Sequence, residues 1–148
     1  GSVKLLIDTN VVLDFLGANV GFADEAEKVF NLAIEQKAVE LVSASAVTDI
    51  YYVLRRTLKD KQLALQKLSD LRRYLHVLPV TEQDIDKAIA RNWHDFEDAV
   101  QYSVAESNNV DYIITRNGSD FEEKDIPSLT PSELLSHISS GLIPLEQE

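Results

Sequence analysis

The chain is expected to fold as a single α/β domain, a three-layer sandwich in which helices flank a central parallel sheet of four to five strands. Three observations predict this. Short apolar runs rich in strand formers, at Val3–Ile7, Leu75–Val80 and Tyr112–Thr115, alternate with longer stretches whose apolar residues recur at helical spacing. Strands that alternate with helices imply parallel pairing, with helices on both faces. A length of 148 residues, 45% of them apolar, suits one domain with a substantial core.

The elements follow in order. Val3–Ile7 is almost uninterrupted apolar sequence, the pattern of a strand buried on both faces. It ends on Asp8, after which Asn10–Leu16 forms a short helix stopped by Gly17. In Phe22–Lys37, Ala26, Val29, Phe30, Ala33 and Ile34 make one buried helical stripe. Glu40–Val42 is a short strand. Val47, Ile50, Tyr51, Leu54 and Leu58 mark a helix over Ser43–Leu58, and Leu63, Leu65, Leu68 and Leu71 another over Asp60–Tyr74. Leu75–Val80 is the third strand, and Thr81 caps a helix to about Arg91.

A break at Trp93 precedes a helix from Asp95, its N-cap, to about Ser107. Tyr112–Thr115 is the fourth strand, and Arg116–Asp125 a polar loop with a helical turn. Ile126–Leu129 is a short edge strand, where Pro127 is tolerated. Thr130-Pro131-Ser132-Glu133 is a capping box with Pro at the first helical position, opening a last helix to about Ser139. The domain is placed at residues 3–140, with Gly1-Ser2 read as a tag scar and 141–148 as a loose tail.

Composition excludes several chemistries. Without Cys, disulfides, thiolate zinc sites and thiol nucleophiles are ruled out, and a reducing cytoplasm suits the chain. No apolar run is long enough to span a bilayer, so no membrane role is expected. A net charge of −11 argues at first against a nucleic-acid ligand. The distribution softens that objection. Between Tyr51 and His76, seven Lys and Arg stand against Asp60 and Asp70, a local +5 that leaves −16 elsewhere. Most of these cations read as a solvated helical face; Arg55 and Arg56 are candidates to track phosphate.

Four acids carry the functional reading. Asp8 sits at the carboxyl end of a buried strand, where open α/β sheets hold their ligands, and Asn10 follows as a hydrogen-bond donor to it. Asp49 is the only charge between Glu40 and Arg55, and with Ala46 and Val53 on its own side it is expected to be largely desolvated. In HDFEDAVQYSVAE, Asp95 and Glu97 read as acids favoured by the helix dipole, while Asp98 has small neighbours that leave room for a cation and its waters. Asp120 follows a second buried strand that ends in Thr115 and runs into a loop with Arg116 and Asn117. Together the four are expected to converge on a divalent cation, Mg²⁺ or Mn²⁺.

Asp-Thr-Asn after the opening strand, an acid in a helix about forty residues on, DFEDA opening a later helix and TRNxxDF after a strand together resemble the PIN domain, and within it the VapC-like toxins of toxin–antitoxin pairs. The match covers nearly the whole chain in order. The resemblance implies a Mg²⁺- or Mn²⁺-dependent ribonuclease, with the acid positions at Asp8, Asp49, Asp98 and Asp120 and with Asn10 and Thr115 supporting. It also implies a homodimer and a small antitoxin that enters the acidic groove. One departure stands out: the second acid is more often Glu in that family, and Asp49 is one methylene shorter.

The resulting expectation is that Asp8, Asp98 and Asp120 hold the metal, Asp49 orients the attacking water, and Arg116 or Arg91 assists the scissile phosphate. Ser103 and Ser107 have no His in register, and His76, His94 and His137 are scattered, so no protein nucleophile is expected. A receiver- or phosphatase-type domain ranks low, because Asp8 is followed by Thr9 and Asn10 and the late strand by Arg116 rather than Lys. The other alternative is a catalytically weak or inactive module that binds RNA or a protein partner.

Overall fold

The computed structural model describes residues 2–145; Gly1 of the expected tag scar and residues 146–148 of the expected tail lie outside it. Five strands, β1 (Lys4–Ile7), β2 (Val39–Ser43), β3 (Leu75–Leu78), β4 (Tyr112–Ile114) and β5 (Ser128–Leu129), pair in parallel in the order β3-β2-β1-β4-β5. Seven helices accompany them among the described residues: α1 (Thr9–Phe15), α2 (Ala23–Ile34), α3 (Ala44–Leu58), α4 (Lys61–Leu71), α5 (Glu82–Arg91), α6 (Phe96–Ser107) and α7 (Pro131–Ser139). The expected sandwich is the observed fold, and element ends shift by a few residues.

Strand alternation divides the core. Leu5 and Ile7 face one side, where Val12, Phe30, Ile50, Leu54 and Leu134 bring in α1, α2, α3 and α7. Leu6 faces the other, with its register partners Leu41 and Ile113, and packs there with Tyr102 and Phe121. Ala88, Val100 and Val104 join α5 to α6 on that second side. Each fully buried aliphatic or aromatic side chain contributes about 1.5–3 kcal/mol, against about 0–1 kcal/mol for an exposed ion pair. The two apolar layers therefore hold the fold.

Two expectations about packing are corrected. Leu63 and Leu65 are each 42% exposed. The buried stripe of α4 runs instead through Ala64, Leu68 and Leu71, a true i, i+4, i+7 row. Residues 141–145 are not loose either: Ile143 is 3% exposed, its amide donates to His137 O at 3.1 Å, and Leu145 packs against the larger core.

The topology places the site. From β1 the chain steps to β2 and β3 on one side, then returns to β4 on the other, so the strand order switches direction between β1 and β4. Ligands of open α/β sheets bind at that crevice, beyond the carboxyl ends of the strands. Because every strand is parallel, α1 and α3 begin on this same edge, capped by Asp8 and Ser43, whose side chains accept from the Thr9 and Ser45 amides.

Candidate active site

Asp8 stands at the switch point and is 8% exposed. Its Oδ1 accepts from the Thr9 amide at 2.8 Å and from Gln101 Nε2 at 3.2 Å. Its Oδ2 accepts from Thr115 Oγ1 at 2.7 Å and Asn10 Nδ2 at 3.4 Å. Residues from α1, α6 and the end of β4 thus fix one carboxylate. Asn10 also ties the strand ends together, accepting from the Arg116 amide through Oδ1 at 3.3 Å. The Asn117 amide donates to Thr115 Oγ1 at 3.1 Å, while the Asn117 side chain is exposed.

Helix α6 brings the next acids. Asp95 is its N-cap, accepting from the Asp98 amide at 3.1 Å. Asp98 is half-buried, and burial, followed by the charges of Asp95, Asp8, Asp120 and Glu97, pushes its carboxyl up to about 7. Glu97 is likewise raised to about 7, by burial, then by the charge of Asp49 and a hydrogen bond with it, and by Asp95 and Asp8. Carboxylates held this close resist ionising together, so the cluster retains protons near neutrality.

The structure brings Asp8, Asp98 and Asp120 to one crevice and reaches Asp49 through Glu97. The expected desolvation of Asp49 is corrected: its side chain is exposed, because Ala46 alone on its flank is buried and Val53 only partly so. Glu97 is the acid that reading the sequence missed. In sequence it reads as an acid favoured by the helix dipole, yet it links Asp49 to the rest of the cluster. Gln101 was missed too. It is fully buried, and as the lone polar residue of Ala99-Val100-Gln101-Tyr102, one turn past Glu97, it carried a readable signal.

Both arginines are engaged in ion pairs. Arg116 donates through Nε to Asp14 Oδ2 at 2.7 Å and through Nη2 to Asp14 Oδ1 at 3.4 Å, with its guanidinium 4.1 Å from the Phe22 ring centroid. Asp14 is 1% exposed, so this cation balances a buried charge. Arg91 pairs with Glu106 and Glu123, both at 2.8 Å, and lies 4.8 Å from the Tyr102 ring centroid. Both are structural clamps.

The donor set is all oxygen, the chemistry of a hard divalent cation. Among the described residues no three acidic or His side chains stand close enough to hold one ion directly. Asp8 already accepts four hydrogen bonds, while Gln101 Oε1 is buried without a partner at the other end of the amide that donates to Asp8. A hydrated cation fits this set. Its waters donate, which suits acceptors such as the unpartnered Gln101 Oε1, and Mg²⁺ in particular keeps several waters while taking few carboxylates.

The sequence pattern that defines the PIN domain matches residues 4–119, which span Asp8, Asp49, Glu97 and Asp98 but not Asp120. The chain belongs to the PIN domain family. This PIN domain is 28% identical over 110 residues to Ribonuclease VapC1 of Aquifex aeolicus (strain VF5), covering 71% of this chain and 75% of that one. Its fold is similar to a toxin-antitoxin complex from Klebsiella pneumoniae, at TM-score 0.62 and 21% identity over 86% of this chain and 97% of that one. It is also similar to Mycobacterium tuberculosis VapC20, described as a sarcin-ricin loop cleaving toxin, at TM-score 0.57 and 16% identity over 74% of this chain and 86% of that one. The last two likenesses concern the fold.

Proposed function

We propose that this PIN domain is a Mg²⁺- or Mn²⁺-dependent endoribonuclease and the toxin of a toxin–antitoxin pair. One observation carries the reading. Asp98 lies within the field of Asp95, Asp8, Asp120 and Glu97, and Glu97 within that of Asp49, Asp95 and Asp8, so that burial with mutual repulsion raises both to about 7. The relationship to Ribonuclease VapC1 supports RNA as the substrate, and the neighbour solved as a toxin-antitoxin complex supports a small antitoxin as partner. A homodimer is part of the same proposal.

Asp8, Asp98 and Asp120 would hold the cation, largely through its waters. When bound, the ion supplies an activated water and positive charge against the phosphoryl oxygens. The protein does the positioning. Thr115, Asn10 and Gln101 lock the Asp8 carboxylate and keep its charge in place. The Asp49–Glu97 pair faces solvent and, with Glu97 raised to about 7, is matched to accept a proton from the attacking water at working pH. The −16 that lies outside the basic stretch would attract a basic antitoxin segment.

The test is incubation with labelled tRNA, rRNA and mRNA fragments, with and without Mn²⁺. The expected result is discrete cleavage that requires Mn²⁺ and is lost in Asp98→Asn. A second reading, an inactive module that binds RNA or protein, draws on the absence of three acids at ligating distance among the described residues. It predicts no cleavage and no thermal stabilisation by Mn²⁺, whereas a working site is stabilised by mass action.

A further inference from the structure

Beside the acid cluster lies an open hollow of about 490 Å³. Val80, Ile85 and Val100 form its apolar lining, Ser45 and Glu97 its polar edge, and Phe96 its rim. Phe96 is 51% exposed and stacks on no other ring among the described residues. It is the first residue of α6, and it lines the same hollow as Glu97, so an unpartnered aromatic ring and one of the acids border one cavity.

We propose that this hollow is a nucleobase subsite, in which an unpaired base next to the scissile phosphate stacks on Phe96 and sets its edge against Glu97 and Ser45. The proposal deepens the ribonuclease reading and rests on it. Three features select a base as the occupant. The hollow and the acid cluster share Glu97, so a phosphate at the acids delivers a neighbouring base into the hollow. The volume lies within the roughly 300–1,000 Å³ of small-ligand sites, and one exposed ring is far less than the roughly 800 Å² a protein partner covers on each side. An apolar floor with a polar rim suits a flat ring that carries hydrogen-bonding groups at its margin.

The experiment uses full-length protein silenced by Asp98→Asn, and short single-stranded RNAs with 2-aminopurine placed at successive positions. Fluorescence quenching at one or two adjacent positions is expected; Phe96→Ala removes it and weakens binding about tenfold, and Phe96→Trp restores both. In the active protein, Phe96→Ala raises KM about tenfold and leaves kcat within about threefold. Quenching and affinity unchanged in Phe96→Ala overturn the subsite. RNA cleavage without quenching at any position also overturns it and leaves the ribonuclease reading standing, whereas quenching without any cleavage does the reverse. A change of oligomeric mass in Phe96→Ala with unaltered RNA kinetics assigns the face to a second copy and overturns the proposal.

Discussion

Glu97 on α6 and Asp49 on α3 share a hydrogen bond between carboxyl groups, with Glu97 raised to about 7 by burial and by the neighbouring charge. Two acids from different helices can share a proton only if the fold holds them together against repulsion, and such positions mark sites that move protons or bind cations. Acting as a unit, they should not contribute additively. Glu97→Gln and Asp49→Asn are each expected to lower Mn²⁺-dependent RNA cleavage about 10²-fold, and the double variant by little more. Single-turnover cleavage with far-UV circular dichroism as a folding control checks this. A double variant near 10⁴-fold would mean that the two act separately.

Cation loading should depend on pH in a defined direction. Glu97 and Asp98 are raised acids, protonated in the fold below about 7 and ionised above it. Protons therefore compete with the cation at low pH, and apparent Mn²⁺ affinity should rise from pH 6 to pH 8. Without cation, the same raised groups make stability fall as pH climbs from the ordinary carboxylate range through 7; saturating Mn²⁺ should cancel or invert that slope. Thermal shift titrations at pH 6, 7 and 8 measure both effects, and a flat affinity across that range contradicts the proposed cluster.

The fold was legible because the signals were local and repeated. Val3–Ile7 and Tyr112–Thr115 read as buried strands, observed at Lys4–Ile7 and Tyr112–Ile114, and the caps at Thr81, Asp95 and Thr130 sit where their residue types place them. What stayed hidden depended on tertiary distance. Glu97 and Asp98 are adjacent in sequence and equally favoured by the helix dipole, and only the approach of α3 gives Glu97 its partner. Asp14 likewise carries no signal of its own in the sequence. Its burial and its pairing with Arg116 follow from how α1 lies against the end of β4.

The Asp14–Arg116 clamp makes a stability prediction distinct from the catalytic ones. The Asp14 side chain is 2% exposed and that of Arg116 27%. Removing the cation strands a buried carboxylate, so Arg116→Met should cost about 3 kcal/mol, and Asp14→Leu with Arg116→Met should recover much of it. Urea unfolding of the three proteins checks this. An equally low stability in the double variant would show that packing, and not charge, is lost.

Glu40 lies outside the site and gives the last prediction. It sits in the middle of β2, register-paired with Leu5 and Leu75, fully buried, with no cation beside it and only the Ala33 backbone to oppose the cost of burial. Burial pushes its carboxyl up to about 9, so in the fold it is neutral at physiological pH. The unfolded chain releases that proton near the ordinary Glu value of 4.5. Between these values the folded state binds more protons than the unfolded one, so stability is fully present below about 4.5 and declines until pH passes 9. Each pH unit in that window removes about 1.4 kcal/mol, roughly 3 kcal/mol between pH 5 and pH 7, before other groups contribute. Glu40→Gln keeps shape and polarity but cannot titrate, and should flatten the decline by about that amount. Urea unfolding of both proteins at pH 5, 6, 7 and 8, with Mn²⁺ absent, isolates the effect. Parallel pH profiles would mean that Glu40 is ionised in the fold and has a partner.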